Sequence, residues 1–223
     1  MNFVQWLSSL DEILYELMAW VLFYPITLWK IVRSPIRTMK YAEDQLTLPK
    51  SEQFRATVSP PIMLVLTIVV IQGVGIAVGD GVSPIVASHH GLAALVNDNT
   101  SLLLLRLALF GLFALVLAAR KVRRSGTVIN RDTLKPPFYA QCYAIAPFAL
   151  LASGGVTIAI SPDVRLAPWG LAATLGGFIY YAVVQVRWFS VELGQTRLRS
   201  SVDVLFGMAL SIAITLGLGV LFR

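Results

Sequence analysis

Uncharged apolar runs of helical length recur from residue 61 onward, over about 61–79, 100–119, 138–160, 169–186 and 204–222, with Arg106 as the one charge inside them. A run of about 20 such residues matches a hydrocarbon core of roughly 30 Å, so the pattern predicts five transmembrane helices. The first opens on Ser59, Pro60 and Pro61, where proline is tolerated because the first N–H groups of a helix have no internal partner. The third carries Pro147 and the pair Gly154 and Gly155, and the fourth is bounded by Trp169 at one end and by Trp188 and Phe189 at the other, as an aromatic belt requires.

The pattern before residue 60 is different. Over residues 3–21, Phe3, Trp6, Leu7, Leu10, Ile13, Leu14, Leu17, Met18 and Val21 share one helical arc, with Gln5, Ser8, Ser9, Glu12 and Glu16 opposite, which predicts an amphipathic helix. The uncharged run 17–29 contains Pro25 and is short for a crossing, so it reads as an interfacial or re-entrant piece. Lys30, Arg33, Arg37 and Lys40 then fall in one helical quadrant, with Pro35 after Ser34 restarting the helix. Residues 46–59 are polar and mixed in charge and read as a linker. Residues 80–99 hold His89 and His90 but no lysine or arginine, and predict a short interfacial helix.

Charge orients this frame. Fifteen of the 18 basic residues fall in the N-terminal region, the loop 120–135 and the loop 187–203, and the positive-inside rule puts all three in the cytoplasm. The N-terminus is then cytoplasmic and the C-terminus external. Composition agrees: 57% of the 223 residues are hydrophobic, 13% are charged, and the mean hydropathy is +0.73. The fold class is an all-α integral membrane bundle, with a cytoplasmic or interfacial region 1–59 and a five-span domain 60–223. In a bacterium it would occupy the inner (plasma) membrane. The net charge of +6 sits beside span ends, where orientation explains it, so no nucleic-acid partner is inferred. One cysteine, Cys142, allows no internal disulfide and no cysteine metal site. Asp11, Glu12 and Glu16 near the N-terminus are not the pattern of a cleavable signal.

Arg106 stands about six residues into the second span, roughly 9 Å from its outer end. Its side chain is directed toward that end, so it is either a snorkelled or paired structural arginine, with Asp80, Asp98 and Asp163 as partners, or an anion- or headgroup-recognising group. His89 and His90 with Asp80 and Asp98 are metal-ligand types, but adjacent histidines share no helical face, and no metal is assigned. Gly75 and Gly79, and Ala172 and Gly176, have small-xxx-small spacing that permits close helix contact, in the bundle first and between copies second. Gln72, Gln141 and Gln185 are expected to bond between helices before lining any polar path.

The quadrant Lys30, Arg33, Arg37 and Lys40 beside Trp29 suits an anionic cytoplasmic leaflet. The first helix, acidic on its polar face, suits docking on the bundle or a protein partner. No H-E-x-x-H, G-x-S-x-G or P-loop occurs, and no predicted span contains Asp or Glu, so neither an enzyme nor a cofactor is expected.

An N-terminal region carrying Tyr24–Pro25 and Ser34–Pro35, a first span led by Pro60 and Pro61, five crossings and an external C-terminus together resemble the Yip-domain family of small membrane proteins. The likeness is architectural. It implies a non-enzymatic protein of membrane organisation or trafficking that works through partners. The expectation is an interaction or organising subunit, with a protein partner or homo-oligomer engaged through the N-terminal helices. The alternative is an oligomeric permease or channel component with Arg106 near the outer end of its path.

Overall fold

The computed structural model describes residues 3–77, 99–161 and 163–221, with side chains over 11–76, 100–161 and 163–218. Among these residues the regular structure is helical: α1 (Phe3–Arg33), α2 (Pro35–Gln45), α3 (Pro60–Ala77), α4 (Asn99–Arg124), α5 (Arg131–Ala159), α6 (Ala167–Glu192) and α7 (Arg197–Leu221), with single 3₁₀ turns at Lys50–Glu52 and Val164–Leu166. Four helical segments, Thr100–Arg124, Arg131–Ala159, Val164–Glu192 and Arg197–Leu218, are long and apolar enough to cross a membrane. Their length and composition are those of membrane-crossing helices and suggest an integral membrane protein. The helix Pro60–Ile76 is apolar but shorter.

The amphipathic stretch and the Pro25 run predicted separately form the single helix α1. The loops also contract. α4 runs through the basic cluster to Arg124 and α5 starts at Arg131, so the predicted loop 120–135 is six residues, 125–130. Asn130 caps α5: its Oδ1 accepts from the N–H groups of Asp132 (3.0 Å) and Thr133 (2.8 Å), while Thr133 Oγ1 accepts from Asn130 N–H (3.0 Å). The loop 187–203 shrinks to 193–196, with Gly194 at φ 59° just past the end of α6, where the left-handed conformation closes a helix without Cβ strain.

α5 is the hub, packed on α6, α3, α4, α2 and α1. Residues 140–149 are buried without a break, the pattern of a helix covered on all sides. Phe148 anchors the centre, stacked on Tyr181 at 4.7 Å and edge-on to Phe178 at 4.9 Å. Gln141 and Gln185 are fully buried and exchange two 2.7 Å hydrogen bonds, and Tyr181 donates to Gln141 Oε1 at 3.0 Å. These amides lock α5 to α6, the interhelical use expected of them.

The small residues at the α5–α6 crossing are Gly155, Gly170 and Gly177; a Cβ on Gly170 would lie 2.3 Å from Ala159 N. The predicted stripe Ala172–Gly176 is not the contact face: Ala172 is exposed, and a Cβ on Gly176 would meet nothing within 4 Å. Gly75 lies in α3, whereas Gly79 falls outside the described residues.

A second core, Ile31, Ala42, Val58, Met63, Tyr143 and Ala146, joins the end of α1, α2 and the start of α3 to α5. The predicted linker 46–59 is here a fastened strap. Val58 N–H donates to Thr27 Oγ1 (3.1 Å), and Tyr143 OH donates to Val58 O (2.6 Å). Phe54 packs against Tyr41 and Tyr139 at 6.3 and 6.2 Å and adopts φ 56°, a left-handed conformation that costs a non-glycine residue about 1–2 kcal/mol and is held here by that packing.

Candidate functional site

α1 ends and α2 begins at Ser34, and the Thr38 hydroxyl, pointed at the carbonyls of Lys30 (3.1 Å) and Ser34 (3.0 Å), fixes the elbow between them. Pro35 favours this break, because its ring cannot continue the preceding helix without a clash and it opens a new one well. The elbow and the strap flank an open cavity of about 280 Å³. Trp29, Lys30, Arg33 and Arg37 line it, with Ser34, Thr38, Tyr41, Ala56 and Thr57 completing the wall. Four of the five residues expected to contact lipid or partner thus converge on one volume. Lys40 is exposed but does not line it.

Lys30 Nζ donates to Ala56 O at 3.2 Å, and Thr57 Oγ1 donates to Tyr41 OH at 3.3 Å, which holds the strap over the elbow. The accessible wall is mostly apolar; its lining residues include three cations and no carboxylate, so the local field favours an anion, the more so where low-dielectric matter displaces water. Trp29 is 63% exposed at the rim, an amphipathic ring suited to the headgroup level of a bilayer.

The basic run at the end of α4 has a different fate. Lys121 Nζ lies between Glu43 Oε1 (2.7 Å) and Glu192 Oε2 (3.1 Å) and 4.4 Å above the Trp188 ring. Asp203, with its side chain 3% exposed, accepts from Arg120 Nη2 at 2.6 Å and Arg124 Nε at 2.7 Å. Arg120 also stacks over Phe206 at 4.2 Å. Burial pushes the Glu43 carboxyl above its ordinary range, with the Lys121 ammonium opposing that shift. These pairs rivet α2, α4, α6 and α7 at one end of the bundle. The N-terminal elbow and the ends of α4 and α6 therefore share one face, since Glu43 of α2 touches Lys121 directly.

Glu43, Glu192 and Asp203 were not singled out as site residues in the sequence. The available signal was an acid placed against a span on the same side as a surplus of cations; Asp203 stands one residue before the predicted span 204–222.

Arg106 lies 15 residues before Lys121, about 22 Å along α4, toward the opposite face. Its Nη1 donates to Gln72 Oε1 at 2.7 Å, tying α4 to α3. Asp163 is exposed and its carboxylate accepts from Arg165 N–H at 3.0 Å. Asp80, Asp98, His89 and His90 lie outside the described residues; among the described ones, no group of three His, Cys, Asp or Glu side chains could hold a metal. No protein-family model, curated protein or solved structure matches the chain.

Proposed function

We propose that the protein is a non-enzymatic membrane-organising subunit: a five-span bundle that holds its N-terminal helices at the cytoplasmic leaflet as a contact surface for anionic lipid and a protein partner. The observation that carries this reading is the contrast along α1. Its C-terminal end is locked to the bundle through Thr27, Ile31 and the strap. Its middle exposes Ile13, Leu14, Leu17, Met18, Val21, Leu22 and Ile26. A helix fastened at one end, with exposed apolar residues beyond the fastening, suits a docking surface.

Treating α3 as the fifth crossing is supported by its 18 uncharged, mostly apolar residues, about 27 Å of helix. Basic residues at the shared face support a cytoplasmic N-terminus. The likeness to Yip-domain proteins is of the same architectural kind and agrees with an organising role. The permease reading gains no support from Gln141 and Gln185, which bond each other inside a packed seam and line no path among the described residues.

The test is purification in mild detergent of the full chain and of a variant lacking residues 3–21, with quantification of co-purifying proteins. A partner held in fixed proportion by the full chain and lost from the truncated but still folded bundle is the expected result. A lone homogeneous chain, or a partner retained without residues 3–21, would overturn the reading.

A further inference from the structure

Two clusters of cations on this face differ in what meets them. Arg120, Lys121 and Arg124 are consumed by Asp203, Glu43 and Glu192. Arg33 and Arg37 form no ion pair among the described residues, and with Lys30 they face a cavity whose lining carries no carboxylate. Three like charges held within one elbow repel each other until an anion joins them.

We infer that the elbow cavity is a site for the headgroup of one anionic phospholipid, with Lys30, Arg33 and Arg37 on its phosphate and the α1 face Leu22–Ile26–Trp29 against its acyl chains. This deepens the leaflet contact proposed above and rests on that reading. Three features together select a lipid over a free anion. Leu22, Ile26 and Trp29 stand at i, i+4 and i+7 on α1, and Arg33 at i+11 continues the same side, so an exposed apolar track leads to the cations. The cavity, at about 280 Å³, suits a headgroup, with the chains left outside on that track. Trp29 stands at the junction, where an indole ring is best placed between hydrocarbon and water.

Arginine supplies paired donors that match phosphate oxygens. A phosphate monoester carries a charge of about −1.5 to −2 at pH 7, so phosphatidic acid is preferred over singly charged headgroups and over phosphatidylcholine.

The test uses the full chain in a neutral detergent, where no charged surface contributes, titrated with short-chain phosphatidic acid, short-chain phosphatidylcholine or inorganic phosphate. Bound lipid is counted by native mass spectrometry. The expected result is saturation at one phosphatidic acid per chain, with phosphatidylcholine and inorganic phosphate both much weaker. Arg33→Gln or Arg37→Gln weakens binding about fivefold or more, whereas Lys40→Gln, which removes the same charge outside the cavity, changes it less than about twofold. Leu22→Asn weakens phosphatidic acid and leaves inorganic phosphate unchanged; this variant keeps the test open if an arginine variant fails to fold.

Equal losses from Lys40→Gln and Arg37→Gln would reduce the effect to general surface charge and overturn the site. Inorganic phosphate binding as tightly as the lipid would overturn the lipid assignment. Neither readout requires a protein partner, so failure here is separable from failure of the organising role.

Discussion

Replacing Gly170 by alanine probes the seam on which the bundle depends. The new Cβ would stand 2.3 Å from Ala159 N, 2.5 Å from Gly155 O and 2.7 Å from Ala159 Cα, all backbone atoms. A rotamer change relieves none of these contacts. Restoring even a tight 3.4 Å contact from 2.3 Å requires α5 and α6 to part by about 1.1 Å. A gap of that size forfeits a quarter to a half of the dispersion energy of each contact across it, and overpacking of this kind costs about 1–3 kcal/mol. Alanine in a helix returns about 0.5–1 kcal/mol over glycine. The net loss lies within about 0–2.5 kcal/mol and centres on ~1 kcal/mol, a fall of roughly 2–4 °C in Tm for a chain of this size. Gly176→Ala, on the same helix with nothing within 4 Å of its Cβ, is the matched control and should be neutral or slightly stabilising. Thermal unfolding of both variants in mild detergent, followed by far-UV circular dichroism, makes the comparison. If Gly170→Ala melted with Gly176→Ala, the close crossing described for α5 and α6 would be wrong.

Asp203→Asn should destabilise by about 2–3 kcal/mol in the same assay, below the 3–5 kcal/mol of a fully buried broken pair, because Arg124 is 48% exposed and recovers water while Arg120 does not; an unchanged Tm would remove Asp203 from the rivet. Glu43 has its carboxyl pKa raised by burial, so the folded state holds its proton more tightly than the unfolded one, and this contribution is present at low pH and lost as pH rises through the folded pKa. The Tm of wild type relative to Glu43→Gln should therefore fall as pH rises above the ordinary glutamate range, and the opposite slope would show that the Lys121 pair outweighs desolvation. Gln141→Leu or Gln185→Leu alone should cost about 1–2 kcal/mol by stranding the other amide, and the double variant should cost less than the sum; strict additivity would mean the two amides act separately.

The all-helical fold and the apolar helices of membrane-crossing length were legible along the chain because the bilayer imposes a one-dimensional rule. About 20 apolar residues are needed to cross it, and lysine and arginine collect on one side. Trp29, Lys30, Arg33, Arg37 and Lys40 read as one group because helical periodicity places them on one side across a single proline break, and the cavity takes the first four and leaves Lys40 out.

What required the tertiary structure was which partner each residue meets. Ala172–Gly176 and the glycines of the α5–α6 seam look alike in sequence, since in a membrane the lipid-facing and helix-facing sides are equally apolar and only packing separates them. The strap over residues 46–59 reads as a polar linker until Val58 is seen bonded to Thr27 and Tyr143. Arg120, Lys121 and Arg124 carry the same charge as the elbow cations, but Glu43, Glu192 and Asp203 pair with them across 71 to 83 residues of chain. No local pattern encodes contacts of that range. The elbow cations form no such pair among the described residues, and what sets Lys30, Arg33 and Arg37 together is the cavity they line at the α1–α2 break.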